Sequence, residues 1–197
     1  MLIVPDDRAA VEADLVAGRL LCPRCLVGVL GGWGCARRRP LRTCAGLRWL
    51  RPRRGRCRER ACGCTHVLLP DVCLARRRDA AEVIGGALLC LAVEAYRPVA
   101  ERLGVPAETV RGWWLRFRSR AELIAAHFLR WARALDGSFL GLVPQGSPFA
   151  DALEAIGVCV RSASLVLGRK APWSWVSALT AGGLLAINTS PPMPMPD

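Results

Sequence analysis

Ala100-Glu101-Arg102-Leu103-Gly104-Val105, followed by Thr109-Val110-Arg111-Gly112-Trp113, is the stretch whose reading decides the fold. Two helices crossing steeply need a small residue at the crossing, a glycine in the turn and buried aliphatics around it. Ala100 meets the first need, Gly104 suits a left-handed stop to the first helix, and Leu103 and Val105 supply the apolar filling. Pro106 fits the first turn of the next helix, and Glu108 suits the positive end of its dipole. Val110, Trp113, Trp114 and Phe117 then recur at helical spacing, which buries one face and turns Glu108, Thr109, Arg111, Gly112 and Arg118 outward. A plain helical hairpin is the competing reading. Asp79 and Glu82 upstream have the spacing of a capping box that opens an apolar series, Val83, Ile84, Ala87, Leu88 and Leu91, so three helices are expected in succession.

Working outward, 197 residues with 52% hydrophobic and 22% charged content suffice for a packed core. The balance of 28 basic to 16 acidic residues gives a net charge of +12, and Lys170 is the only lysine. Arginine forks onto phosphates and guanines. A composition rich in alanine and arginine raises arginine everywhere, so clustering carries the argument. Arg37, Arg38, Arg39, Arg42, Arg48, Arg51, Arg53, Arg54, Arg56, Arg58 and Arg60 crowd one segment in which Glu59 is the only acid. Counterions or a polyanion such as DNA must relieve that repulsion. Trp33 and Trp49 interleave with these arginines, where they serve packing or stacking on bases.

The first residues lack the charged start and long apolar run of an export signal, which predicts a cytoplasmic protein. The most apolar runs are too short to span a bilayer, so no membrane is expected as a partner. Ten cysteines in a reducing compartment argue for metal before disulfides. Cys22-Pro23-Arg24-Cys25 reads as a knuckle, and Cys57, Cys62, Cys64 and His66 form the next dense group. The expected ligands are Cys22, Cys25, Cys57 and Cys62, with Cys64 and His66 as alternates for the second pair. A segment this rich in arginine and glycine buries little apolar surface, and a tetrahedral Zn2+ would supply the missing folding free energy. Cys90 and Cys159 lie in apolar helical runs and read as structural.

The expected fold class is mainly α with a small β zinc ribbon. Residues 1–75 form a short helix and the ribbon module; 76–120 a helix-turn-helix, three-helix DNA-binding domain; 121–187 a C-terminal helical region; and 188–197 a disordered proline-rich tail. Ser119 and Glu122 match a second capping box, and Ser147-Pro148 a cap followed by a first-turn proline. The expected DNA contacts are Glu108, Thr109, Arg111, Gly112, Arg116 and Arg118 from the second helix of the turn. Arg76, Arg77 and Arg78 ahead of the helices, and Arg53, Arg54 and Arg56 in the ribbon, complete the set.

Cys22-Pro23-Arg24-Cys25, Arg56-Cys57, Cys62-Gly63-Cys64-Thr65-His66-Val67-Leu68-Leu69-Pro70 and Leu103-Gly104-Val105-Pro106 together carry a resemblance. The chain resembles a family of uncharacterised bacterial proteins related to insertion-sequence transposases, in which a zinc-ribbon start precedes a helix-turn-helix. The likeness extends to Pro172-Trp173 and Leu179-Thr180-Ala181-Gly182-Gly183. It implies DNA binding tied to mobile elements or to regulation, and carries no activity over. Relatives in that family tend to hold the second knuckle as two cysteines two residues apart, whereas Cys57 and Cys62 have four between them.

No catalytic constellation stands out. A carboxylate transposase needs three acids converging on two metal ions, and the acids after Trp114 are only Glu122, Asp136, Asp151, Glu154 and Asp197. Nickases need paired histidines near a tyrosine, whereas His66, His127 and Tyr96 are scattered. The sequence therefore predicts a non-enzyme: a DNA-binding protein contacting double-stranded DNA, compatible with a homodimer or a transposition or regulatory partner. The alternative is a zinc-ribbon module that recruits a partner protein, with weak or no DNA binding.

Overall fold

The computed structural model describes residues 1–186. Ile187 and the proline-rich tail expected over 188–197 lie outside them. The described residues form β1 (Leu2–Val4), α1 (Arg8–Val16), β2 (Leu30–Cys35), β3 (Arg39–Thr43), β4 (Gly46–Leu50), β5 (Arg53–Cys57) and β6 (Thr65–Pro70). Helices α2 (Ala81–Cys90), α3 (Tyr96–Leu103), α4 (Ala107–Arg118), α5 (Ala121–Leu135), α6 (Pro148–Val166) and α7 (Pro172–Leu179) follow. The class is mixed α/β. The β part exceeds the small ribbon expected, because β1 adds a parallel strand to β6 and extends the sheet to the order β1-β6-β5-β2, beside a separate β3-β4 hairpin.

Strand β6 divides the molecule. Period-2 alternation sends Leu68 to one face of the sheet and Leu69 to the other. Leu68 joins Val4, Val11, Leu15, Cys22, Leu30 and Cys57 in a small core under α1. Leu69 joins the larger core, which runs from Leu41 and Leu50 of the hairpin through α2 to α7. That core crosses positions 75/76 and 120/121 without a break, and Phe117 meets Phe149 edge-on with ring centroids 5.0 Å apart. In α5, Ile124, Phe128 and Ala132 make a buried stripe at a four-residue period; α6 meets it with small residues, among them Ala152, Ala155 and Ala163. No described helix is long and apolar enough to cross a membrane.

Helices α3 and α4 meet at Gly104, whose φ of 60° and ψ of 36° are left-handed, and whose N–H donates to the Glu101 carbonyl. Val99, Ala100, Val105, Val110, Trp113 and Phe117 are buried, and Leu103 is half-buried against the same core. Pro106 stands one position earlier than expected, at the N-cap of α4. Ser147 caps α6 through the Ala150 N–H, with Pro148 in its first turn.

Neither capping box forms. Ala80 is the N-cap of α2; Asp79 is buried and pairs with Arg42 at 3.1 Å, while Glu82 accepts the Cys44 N–H at 3.2 Å. Both acids are drawn to the hairpin, where the backbones of Arg42 and residues 78 and 80 also exchange hydrogen bonds. An ion pair at a half-buried junction outcompetes a local cap that water could replace. Ser119 likewise donates back to the Arg116 carbonyl, and Arg120 takes the cap position of α5.

Candidate metal centre

Two turns at one end of the sheet bring the cysteines together. In the first, the Leu26 N–H donates to the Cys22 carbonyl and the Cys22 N–H to the Gly28 carbonyl, with Leu26 left-handed at φ 59°. In the second, the N–H groups of Cys62 and Gly63 donate to the Glu59 carbonyl, and Gly63 is left-handed at φ 55°. The residue after the second cysteine of each pair thus makes the same reversal. The four-residue spacing of Cys57 and Cys62 is accommodated by a longer turn that ends the same way.

The four sulfurs of Cys22, Cys25, Cys57 and Cys62 lie within 4.8 Å of one another. Cys22 stands 3.8 Å from Cys62, and Cys25 stands 3.7 Å from Cys57. Sulfurs placed about 2.3 Å from a central zinc define a tetrahedron with edges of about 3.8 Å. Two opposite edges of such a tetrahedron are therefore in place, and all ten cysteines are free thiols. The group fits a metal ion.

Hydrogen bonds from the Gly28 and Val27 amides pull the Cys25 thiol down to about 6. The Cys64 amide acts on Cys62 in the same sense, but burial and the neighbouring sulfurs outweigh it and push Cys62 up to about 12. Burial also raises Cys57. Metal entering such a cluster displaces protons.

The alternates take other places. Arg24 donates to the Cys64 sulfur at 2.7 Å, outside the four-sulfur group. His66 is buried with its Nε2 3.3 Å from the Cys22 sulfur, so it hydrogen-bonds a candidate ligand instead of joining the four-sulfur group. Gly28 was not among the sequence-derived candidates. A Cβ there would lie 2.5 Å from the Cys57 sulfur and 2.7 Å from the Glu59 Cβ, so only hydrogen fits beside the cluster. Its position three residues after the first knuckle was the available signal.

The candidate DNA contacts divide by environment. Glu108 and Arg111 are exposed on α4 and pair with each other at 3.2 Å. Thr109 and Gly112 are half-buried, Arg116 folds back to the Gly112 carbonyl, and exposed Arg118 lies over the Trp114 ring. Arg53 is held by Glu12 at 2.5 Å on the α1 side of the sheet, which makes it a staple between β5 and α1. The pairing register puts Arg54 and Arg56 on the opposite face; Arg56 is exposed and lies over Trp33.

Arg76 and Arg78 are exposed, and Arg76 has a left-handed φ of 58°. Arg77 is half-buried and donates to the Leu185 carbonyl at 2.7 Å. Three depressions converge on this turn. One runs past Asp79 to Arg42, Pro106, Thr109 and Trp113 at the start of α4. A second leads to the arginines at 37–39 and Trp49, and a third, of about 730 Å³, leads to Arg24, His66 and Arg116. Comparison with protein-family models, with curated proteins and with solved structures finds no match.

Proposed function

We propose that this chain is a DNA-binding protein in which α3 and α4 act as a helix-turn-helix and a four-cysteine zinc centre stiffens the arginine-rich sheet beside it. The observation that carries the reading is the convergence at 76–78, where Arg76 and Arg78 open a basic track that runs past Asp79 to the N-terminal turn of α4 and, over a mostly uncharged floor, to Arg24 at the knuckle end of the sheet. Arg76 and Arg78 grip the phosphate backbone there, which places α4 against the groove. Arg111 and Glu108 then reach base edges, arginine favouring guanine and glutamate favouring cytosine. Their mutual ion pair opens in the complex, since each needs its fork or its oxygens for a base. Zinc is the metal because four thiolates at tetrahedral spacing, with no open position, suit a structural zinc. The motif likeness to transposase-related proteins supports a role at mobile-element ends or in regulation.

Selection of bound duplexes from a random pool, followed by anisotropy titrations at several salt concentrations, tests the reading. Arg111→Ala should relax preference at one base pair at a cost of about 1–3 kcal/mol. Arg76→Ala and Arg78→Ala should weaken all sequences alike and lower the salt slope by about 1 each. Selection that enriches no sequence, or an Arg111→Ala variant with unchanged preference, sinks the assignment of α4 as the reading helix.

A further inference from the structure

The hairpin cleft differs from the rest of the basic track. It is an open depression of about 550 Å³ between the arginines at 37–39 and those at 76–78, with Pro40 and Trp49 completing its lining, and no carboxylate among the lining residues. Trp49 is 52% exposed, and the Arg38 guanidinium lies 4.8 Å from its ring centroid. Arg39 pairs in register with Leu50 and so lies on the core face of the hairpin, against Cys73, while Pro40 and Trp49 share the other face. A phosphate oxygen is the acceptor that a guanidinium's planar fork fits best.

A duplex presents its phosphates but hides its base faces in the stack, so it leaves Trp49 unused. An unpaired nucleotide offers both a phosphate and a planar face. We infer that this cleft binds single-stranded DNA adjoining the duplex held by α4, with a base stacked on Trp49 and its phosphates at Arg37 and Arg38, beside the duplex backbone held by Arg76 and Arg78. The base takes the position of Arg38 over the ring, and that guanidinium turns to the neighbouring phosphate. Stacking of this kind is indifferent to base identity, because every base has a π face. The inference rests on the reading of the chain as a DNA-binding protein and names a second DNA element for it, a single-stranded end or junction.

Anisotropy titrations of the full chain with three labelled probes test it: a blunt duplex, the same duplex with a thymidine overhang, and oligothymidine alone. The overhang should tighten binding by about tenfold or more, the range for a base stacked on an aromatic side chain. Trp49→Ala should abolish that gain and leave blunt-duplex affinity unchanged, while Trp49→Phe keeps most of it. Photocrosslinking from 5-iododeoxyuridine in the overhang reads the unaltered protein and should label the 39–50 hairpin. Equal affinity for blunt and overhang probes, a gain that survives Trp49→Ala, or crosslinks confined to α4 would each overturn the inference. Oligothymidine binding without blunt-duplex binding would instead support the cleft and remove the duplex reading, so the two failures are separable.

Discussion

A methyl group at position 28 would sit 2.5 Å from the Cys57 sulfur, inside any permissible contact. Gly28→Ala must therefore move a ligand, its own knuckle or both. The expected result is a loss of metal affinity on the order of tenfold or more, comparable to disturbing the groups that orient ligands. Competition with a chromophoric chelator measures it, and unchanged affinity would mean that the knuckle shifts freely. His127 makes a different residue-scale prediction. Its Nε2 donates to the Leu179 carbonyl at 3.0 Å, which leaves Nδ1 bare, buried and without a partner among the described residues. Burial therefore holds its pKa below the ordinary 6.5. The unfolded chain takes up that proton more readily than the folded one. The contribution of His127 is thus intact above 6.5 and is lost as pH falls from there towards the lowered folded value. Denaturation midpoints across this window should drop with acid, and His127→Gln should flatten the fall; an equal slope in both proteins would refute the assignment.

At the scale of elements, α2 contains two adjacent glycines with opposite demands. A Cβ on Gly85 would lie 1.9 Å from the Trp173 ring, whereas one on Gly86 would meet nothing within 4 Å. Gly85→Ala should destabilise by about 1–3 kcal/mol, because the α7 indole must be displaced from its packing on α2. Gly86→Ala should stabilise by about 0.5–1 kcal/mol through helix propensity alone. Chemical denaturation separates the two, and a shared sign would contradict this packing. The same pair shows where the sequence was legible. Periodicity and Gly104 revealed α3, the turn and α4, and Ser147-Pro148 gave the start of α6, because those signals are local. The cysteine spacing gave the four-sulfur set for the same reason. Asp79, Glu82 and Ser119 misled because a tertiary partner, or a carbonyl one turn back, took the group that a local motif had claimed. Gly85 was opaque and Gly28 nearly so, with only its distance from the first knuckle as a signal, since their neighbours, Trp173 and Cys57, lie far away in sequence. The parallel β1-β6 pairing was missed because it joins residues 2–4 to 68–70 with no local trace.

For the whole molecule, a metal held by the four cysteines would bear on the two cores unequally. Cys22 and Cys57 are themselves members of the small core, while the larger core of hairpin and helices contains none of the four cysteines. Metal removal should therefore loosen one part first. Hydrogen exchange after chelation should rise by orders of magnitude in β2, β5 and the two knuckles, while the α5-α6 pair keeps its protection. Uniform exchange throughout would show that the chain unfolds as one unit. Reconstitution with zinc should restore the slow exchange of the sheet, and the basic track should lose its geometry whenever the sheet does.

The strand with Leu68 and Leu69 on opposite faces also governs how this chain can change length. One residue inserted or deleted within β6 would exchange the two leucines, sending each into the wrong core and turning His66 away from the Cys22 sulfur. No compensating substitution at a single position can undo a shift in which every side chain reverses. The exposed connection at 136–147, by contrast, carries little buried surface and can absorb added residues with only the entropy of a longer loop. A scan of single-residue insertions along the chain should thus show its sharpest intolerance across six positions of one strand, ahead of any helix, and its greatest freedom between α5 and α6.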